Sequence, residues 1–269
     1  MDISLVDRAA TTGVSALHRT APAAKLAATA LVLGAVIVST NVLVVATIAM
    51  GLFSVVLGQR LKWLPLLVLS LYPGIFAALY AFAAWTGGLW ASLIVFKAVT
   101  SALAVLLLMF TTPYPQVFAP IQRLMPAVIG DSLLMTYRSL FLLLEKFSHT
   151  LTAARLRAGV VGVNPIKSAA TVTRSLGGVL LYSIDLSQRT HDIMHLRGYD
   201  GRLVVSPMPS ASVGVDRFVV VLAAAVAAFA LAWRIWFPVL NPYAWLPLAA
   251  SAAVLVIVAA ARLLKGDSA

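Results

Sequence analysis

The chain has 269 residues, of which 61% are hydrophobic and only 11% charged, an imbalance larger than one soluble core can absorb. Its formal charge is +11, but the basic residues follow the layout of a membrane protein and no aromatic-basic interleaving is present, so no nucleic-acid partner is expected. The absence of cysteine excludes disulfides, thiolate metal sites, cysteine nucleophiles and iron-sulfur clusters.

At the N-terminus, acidic Asp2 and Asp7 precede an apolar segment that begins only near Leu26, so no secretory signal is expected. Residues 26–59 and 63–96 contain no Asp, Glu, Lys or Arg, and each run is 34 residues long. A single straight helix of that length measures roughly 50 Å against a hydrocarbon core of roughly 30 Å, so each run predicts two crossings joined by a turn. Ser39, Thr40 and Asn41 interrupt the first run, and Thr86, Gly87 and Gly88, between Trp85 and Trp90, interrupt the second. A last apolar region, about 218–261, is broken by Phe237, Pro238, Asn241, Pro242 and Tyr243 and predicts two more crossings. The expected architecture is all-α, with about six transmembrane helices and a helical cytoplasmic coupling domain inserted between the fourth and fifth.

Short loops rich in Lys and Arg stay in the cytoplasm. With both termini inside, Arg8, Arg19, Lys25, Arg60, Lys62, the basic residues of 111–217, Arg262 and Lys265 are cytoplasmic, eighteen of the twenty in the chain. The predicted divisions are an N-terminal segment 1–22, a membrane domain 23–110, a coupling domain 111–217, a membrane hairpin 218–262 and a tail 263–269. The two exceptions, Lys97 and Arg234, lie inside or at the end of crossings. Without an acid in any crossing to pair with it, Lys97 either snorkels to the interface or contacts a partner or substrate.

Residues 111–217 carry eleven basic and six acidic side chains among abundant Leu and Val. After Thr111-Thr112-Pro113-Tyr114-Pro115 stops the fourth crossing, a long helix is predicted from Val128 to Arg157. Its apolar face runs through Leu133, Tyr137, Leu140, Leu144, Phe147, Leu151 and Ala154, with Arg138, Glu145 and Thr152 on another. It closes at Ala154-Arg155-Leu156-Arg157-Ala158-Gly159, with basic residues at the negative end of the helix dipole. Gly162, Asn164 and Pro165 reset the chain, and a second helix, about 168–197, carries Asp185, Arg189 and Asp192 at ladder spacing before ending at His195-Leu196-Arg197-Gly198. Gly177 and Gly178 within it either permit close packing or bending or merely weaken it.

Each Arg before a small residue is by itself an ordinary helix terminus. Two such ends, with five guanidinium donors apiece, suit insertion into two acidic or carbonyl-lined clefts of a partner. His191-Asp192-Ile193-Met194-His195 has the spacing of a zinc-peptidase helix, but its acid is Asp and the only other histidines are His18 and His149, so a polar helix face is the better reading. No phosphate-binding Gly-x-x-x-x-Gly-Lys-Ser/Thr loop is present, so the chain is not expected to be an ATPase or any other enzyme.

Asp7-Arg8-Ala9-Ala10, His18-Arg19 with Pro22, Lys25 and Leu26, Thr111-Thr112-Pro113, Tyr137-Arg138 and above all Leu196-Arg197-Gly198-Tyr199-Asp200-Gly201 carry a family likeness. Over nearly its whole length the chain resembles the transmembrane T component of energy-coupling factor transporters, most closely the CbiQ type of cobalt systems. The last motif looks like the family's second Ala-Arg-Gly signature with a Gly-Tyr-x-Gly extension, here with Leu196 in place of Ala. The first signature is blurred into Ala154-Arg155-Leu156-Arg157-Ala158, so that either Arg155 or Arg157 could be the functional arginine, Arg157 being favoured by its match to Arg197. The resemblance implies a subunit in the lipid bilayer that joins two cytoplasmic ABC ATPases to a substrate-binding membrane S component. Arg155, Arg157, Ala158, Leu196, Arg197 and Gly198 would contact the ATPases, and the partner would bind cobalt. No cofactor or metal site is expected in this chain, which has few histidines and no acid in its crossings. The alternatives are a stand-alone permease and, less favoured, an intramembrane zinc protease.

Overall fold

The computed structural model describes residues 17, 20–59, 63–84, 87–122, 125–158, 165–201, 203, 213–236 and 241–266. Among them there are helices and turns but no strand. The helices are α1 (Pro22–Val38), α2 (Val42–Gly58), α3 (Trp63–Ala83), α4 (Gly88–Thr111), α5 (Tyr114–Gln122), α6 (Ala127–Ala158), α7 (Pro165–Leu196), α8 (Val213–Ile235) and, after a short 3-10 turn at Asn241–Tyr243, α9 (Trp245–Gly266). Several are rich in Val and Ile, which are mediocre helix formers in water. In an apolar medium the backbone must satisfy its own hydrogen bonds, and helix is the solution open to a single segment.

Both long apolar runs break where expected. α1 ends at Val38, and the Asn41 side chain accepts a hydrogen bond from Leu43 N at 2.9 Å, capping α2. Gly87 precedes α4, and Pro113 follows its end. Trp85, Thr86, Phe237 and Pro238 lie outside the described residues, as do Asp7, Arg8, His18, Arg19, Arg60 and Lys62. Among the described residues, four helices are long and apolar enough to cross a membrane, over Leu64–Ala83, Trp90–Thr111, Gly214–Ile235 and Trp245–Arg262. α1 and α2 are apolar but shorter, 17 residues each, or about 26 Å.

The chain divides into two compact units, residues 1–117 with 207–269, and residues 118–206. In the first, α1 packs on α8 and α4, α2 on α9 and α4, and α3 on α4. Val36, Val44, Val45, Ala104, Ala230 and Trp233 belong to its core. Leu64, Val68, Tyr72, Ile75 and Leu79 of α3 are exposed, an apolar surface of the kind that lipid covers better than water.

Charged side chains close both ends of α1. At its start, Ala21 N donates to Asp216 Oδ1 of α8 at 2.7 Å, and the buried Lys25 donates through Nζ to the Thr111 carbonyl at the end of α4, 2.8 Å away. At its finish, Lys97 Nζ of α4 donates to Ile37 O and Arg234 Nη1 of α8 donates to Val38 O, each at 3.0 Å. Nearby, Asn41 Nδ2 donates to Asn241 Oδ1 at 2.5 Å. An acid at the positive end of α1 and two cations at its negative end complement the helix dipole and satisfy backbone groups that a helix terminus leaves over. Asp216 and Arg234 stand 18 residues apart, five helical turns, so they share one face of α8 and bracket a helix of matching length. Consequently α1 and α8 run parallel, and the end of α4 at Thr111 and the start of α8 at Asp216 lie together where α1 begins.

Lys97 thus has a structural partner that neither sequence reading named. Lys97→Met is expected to lower the thermal stability of the purified protein by several degrees; a thermal melt checks this, and unchanged stability would return Lys97 to the interface or partner contact expected from the sequence.

In the second unit α6 and α7, 32 residues each, pack on one another. α7 begins at Pro165, three residues before the predicted start, because proline suits the first helical position. Two contacts fix their sense: Tyr199 reaches Asp131, and Lys146 Nζ lies 5.0 Å from the centre of the Tyr182 ring. The pair is therefore antiparallel. Of the predicted apolar stripe on α6, Leu133, Tyr137, Phe147, Leu151 and Ala154 are half-buried, while Leu140 and Leu144 remain exposed. Phe118 packs edge-on against Tyr137, ring centres 6.3 Å apart. Asp185 and Arg189 form the expected pair, 2.9 Å apart. Nothing among the described residues lies within 4 Å of a Cβ built at Gly177 or Gly178, so close packing is not what these glycines permit.

Candidate functional site

α7 closes with a complete Schellman motif. Gly198 N donates to His195 O at 3.1 Å, and Tyr199 N donates to Met194 O at 3.0 Å, while Gly198 takes φ +72°. A left-handed residue at this point costs a side-chain-bearing residue steric energy, hence the glycine. Gly201, at φ +93°, is the second such position. The glycines of the signature are thus explained by backbone geometry. Between the last helical turn and this reversal, Leu196 is 88% exposed and Arg197 is exposed beside it.

The residues after the reversal fold back onto the start of α6. The Tyr199 hydroxyl donates to Asp131 Oδ2 at 2.6 Å, Leu203 N donates to Asp131 Oδ1 at 3.1 Å, and Gln122 Nε2 donates to Asp131 Oδ1 and to Leu203 O, both at 2.9 Å. The hydrogen bond to Asp131 is the largest cause holding the Tyr199 phenol above its ordinary value of 10.0, with burial and the charges of Asp131 and Asp200 acting the same way. A raised phenol contributes its bond fully below about pH 10 and loses it only as pH climbs through the raised value, so Tyr199 is a donor throughout the neutral range. Sequence reasoning quoted Tyr199 as part of a motif and missed Asp131 and Gln122. A lone acid in the second turn of a long helix, needing a donor when buried, is the signal that pointed to them.

Arg155, Arg157 and Ala158 occupy the last turn of α6, which ends at Ala158; their side chains and Gly159 lie outside the described residues. Leu156 between them is 80% exposed. Because the hairpin is antiparallel and Tyr199 sits at Asp131, the two signature ends are at opposite ends of it. The 26 residues from Asp131 to Arg157 span roughly 39 Å of helix. His191 and His195 do come together, with ring centres 4.5 Å apart and edge to face, and both are exposed in the turn that leads to Leu196.

Long apolar helices, beside a helical hairpin whose α7 end is exposed and closed by Gly198, define a helical membrane protein. The family model CbiQ, cobalt transport protein, matches residues 13–208, and the chain belongs to that family. The resemblance first read from the Leu196–Gly201 motif therefore holds. The match takes in both signature ends and the Asp131 network, and makes the protein a transport component of the membrane. No curated protein matches the chain.

Proposed function

We propose that this chain is the transmembrane coupling subunit of an energy-coupling factor importer. It receives motion from two cytoplasmic ABC ATPases and passes it to a substrate-binding membrane subunit, with cobalt ion as the cargo. The observation that carries the reading is the end of α7. Leu196, almost fully exposed, and Arg197 beside it stand on a glycine-closed helix terminus, in a family of cobalt transport proteins. An exposed Leu beside an Arg fork is the composition of a protein-protein anchor, one part desolvated and one part bidentate. The last turn of α6, with Arg155, Arg157 and Ala158, supplies the second anchor.

The proposed topology has six crossings, α1 to α4 and α8 to α9, with both termini and residues 118–206 on the cytoplasmic side of the cytoplasmic membrane. It is supported by the basic residues concentrated in that segment and by the exit at Thr111 and return at Asp216 sharing one end of the bundle. At 17 residues α1 and α2 are at the short limit for a crossing, which local thinning of the bilayer accommodates. The mechanism follows from this arrangement. ATP-driven closure of the two ATPases draws on the two helix ends, and the hairpin transmits the displacement to the membrane helices and the subunit held by them.

The test is to express the chain with its neighbouring genes, purify it in detergent, and measure the ATPases that accompany it. Two copies are expected with the wild-type chain and none with the Arg157→Ala/Arg197→Ala double variant. A correctly inserted wild-type chain that brings no ATPase and transports a solute alone in liposomes is a stand-alone permease, and the proposal falls.

A further inference from the structure

Asp131 is 6% exposed, and both of its oxygens are in use. Oδ1 accepts from Gln122 Nε2 and Leu203 N, and Oδ2 accepts from the Tyr199 hydroxyl. A buried carboxylate is tolerated only when hydrogen bonds replace its water. Here the three donors come from three separate stretches of chain: the end of α5, the residue directly after Gly198, and the loop beyond Gly201. Gly130, next to Asp131, keeps the site compact, since a Cβ there would collide with the Gln122 side chain. By contrast the last turn of α7 presents Ile193, His195, Leu196 and Arg197 to solvent, which leaves it little packing of its own.

We infer that Asp131 is a positioning residue for the Leu196–Arg197 end of α7: its two oxygens bracket Tyr199 and Leu203, and so fix the direction in which that end is presented. The inference rests on the proposed coupling function and adds the device that aims one of its two anchors. The Schellman bonds set the local shape of the reversal but reach no other helix. The bonds to Asp131 are what tie the reversal to the start of α6. An amide in place of the carboxylate puts an accepting oxygen at only one of the two positions, so either the Tyr199 hydroxyl or the Leu203 and Gln122 donors lose their acceptor.

The chain lacks cysteine, so Leu196→Cys carries a single nitroxide label at the end of α7, and Thr152→Cys, exposed on α6, carries a control label. Tyr199→Phe and Asp131→Asn are introduced into each background of the full chain. In both variants the label at 196 is expected to become more mobile and the label at 152 to be unchanged. In the cysteine-free chain the affinity for the ATPases is expected to fall about fivefold to tenfold, and the double variant to be no worse than Asp131→Asn. Tyr199→Phe removes one hydroxyl and keeps the ring, so it serves where Asp131→Asn fails to fold. Unchanged mobility at 196, or equal loosening at 196 and 152, overturns the inference. So does increased mobility at 196 with wild-type ATPase affinity, when Arg197→Ala costs the complex an ATPase copy. If Arg197→Ala itself binds ATPase like the wild type, the coupling function has failed and takes the inference with it.

Discussion

Arg197→Ala alone is expected to strip one of two ATPase copies from the purified complex and to abolish uptake. The antiparallel hairpin sets the α7 end and the α6 end roughly 39 Å apart, too far for one binding cleft to take both. On the proposed function each end has its own partner surface, and loss of one is expected to leave the other intact. Removing an arginine from a cleft built for it leaves the opposing groups buried and unpaired, at about 2–5 kcal/mol, or about 30-fold to 4,000-fold in affinity at that end. Native mass spectrometry of the complex reads the stoichiometry directly. Arg197→Lys keeps the charge without the planar fork and is expected to recover only part of the loss. Departure of both copies from the single variant would show that the ATPases bind as a preformed pair through one dominant contact.

Gly198→Val is expected to be nearly as damaging, although an added Cβ at Gly198 has open space around it. Among the described residues no atom beyond its chain neighbours lies within 4 Å of where its Cβ would stand, so collision plays no part. The damage comes from φ +72°, which a β-branched residue reaches only with strain of about 1–3 kcal/mol. The chain can relieve that strain by giving up the Gly198–His195 and Tyr199–Met194 bonds and fraying the last turn, which swings Leu196 and Arg197 away together. Hydrogen exchange at the amides of residues 197–199 should accelerate, and ATPase association should fall toward that of Arg197→Ala. Gly198→Asn, which tolerates left-handed geometry, should retain most of both. Wild-type exchange in the valine variant would show that the reversal is held by the Asp131 bracket alone.

Much of the helix layout is legible from local signals. Asn41, Gly87 and Pro113 mark the breaks because side-chain capping, a glycine at the helix N-cap and the missing proline N–H act within a residue or two of themselves. For the same reason the long helix predicted from Val128 to Arg157 is found as Ala127–Ala158. The second is displaced at its start only because Pro165 was read as a loop residue when it is the first residue of the helix. The motif around Arg197 was equally visible, since its residues are contiguous. Burial of the α6 stripe was less so: periodicity marks a face, but the coverage that left Leu140 and Leu144 exposed depends on where α7 lies.

What the sequence by itself determined about this protein is its solvent, its secondary structure and its family. Hydropathy, turn chemistry and a six-residue motif each act over short spans, and they survive without knowledge of the fold. What only the tertiary structure decided is which partner each charge meets. Lys25 finds Thr111, Asp216 finds Ala21, Lys97 and Arg234 find the last carbonyls of α1, and Asp131 finds Tyr199. These pairs are 60 to 196 residues apart in the chain. A charge in an apolar setting must be answered by some partner, but helix register and direction select the answering group, and both arise from packing between segments distant in sequence.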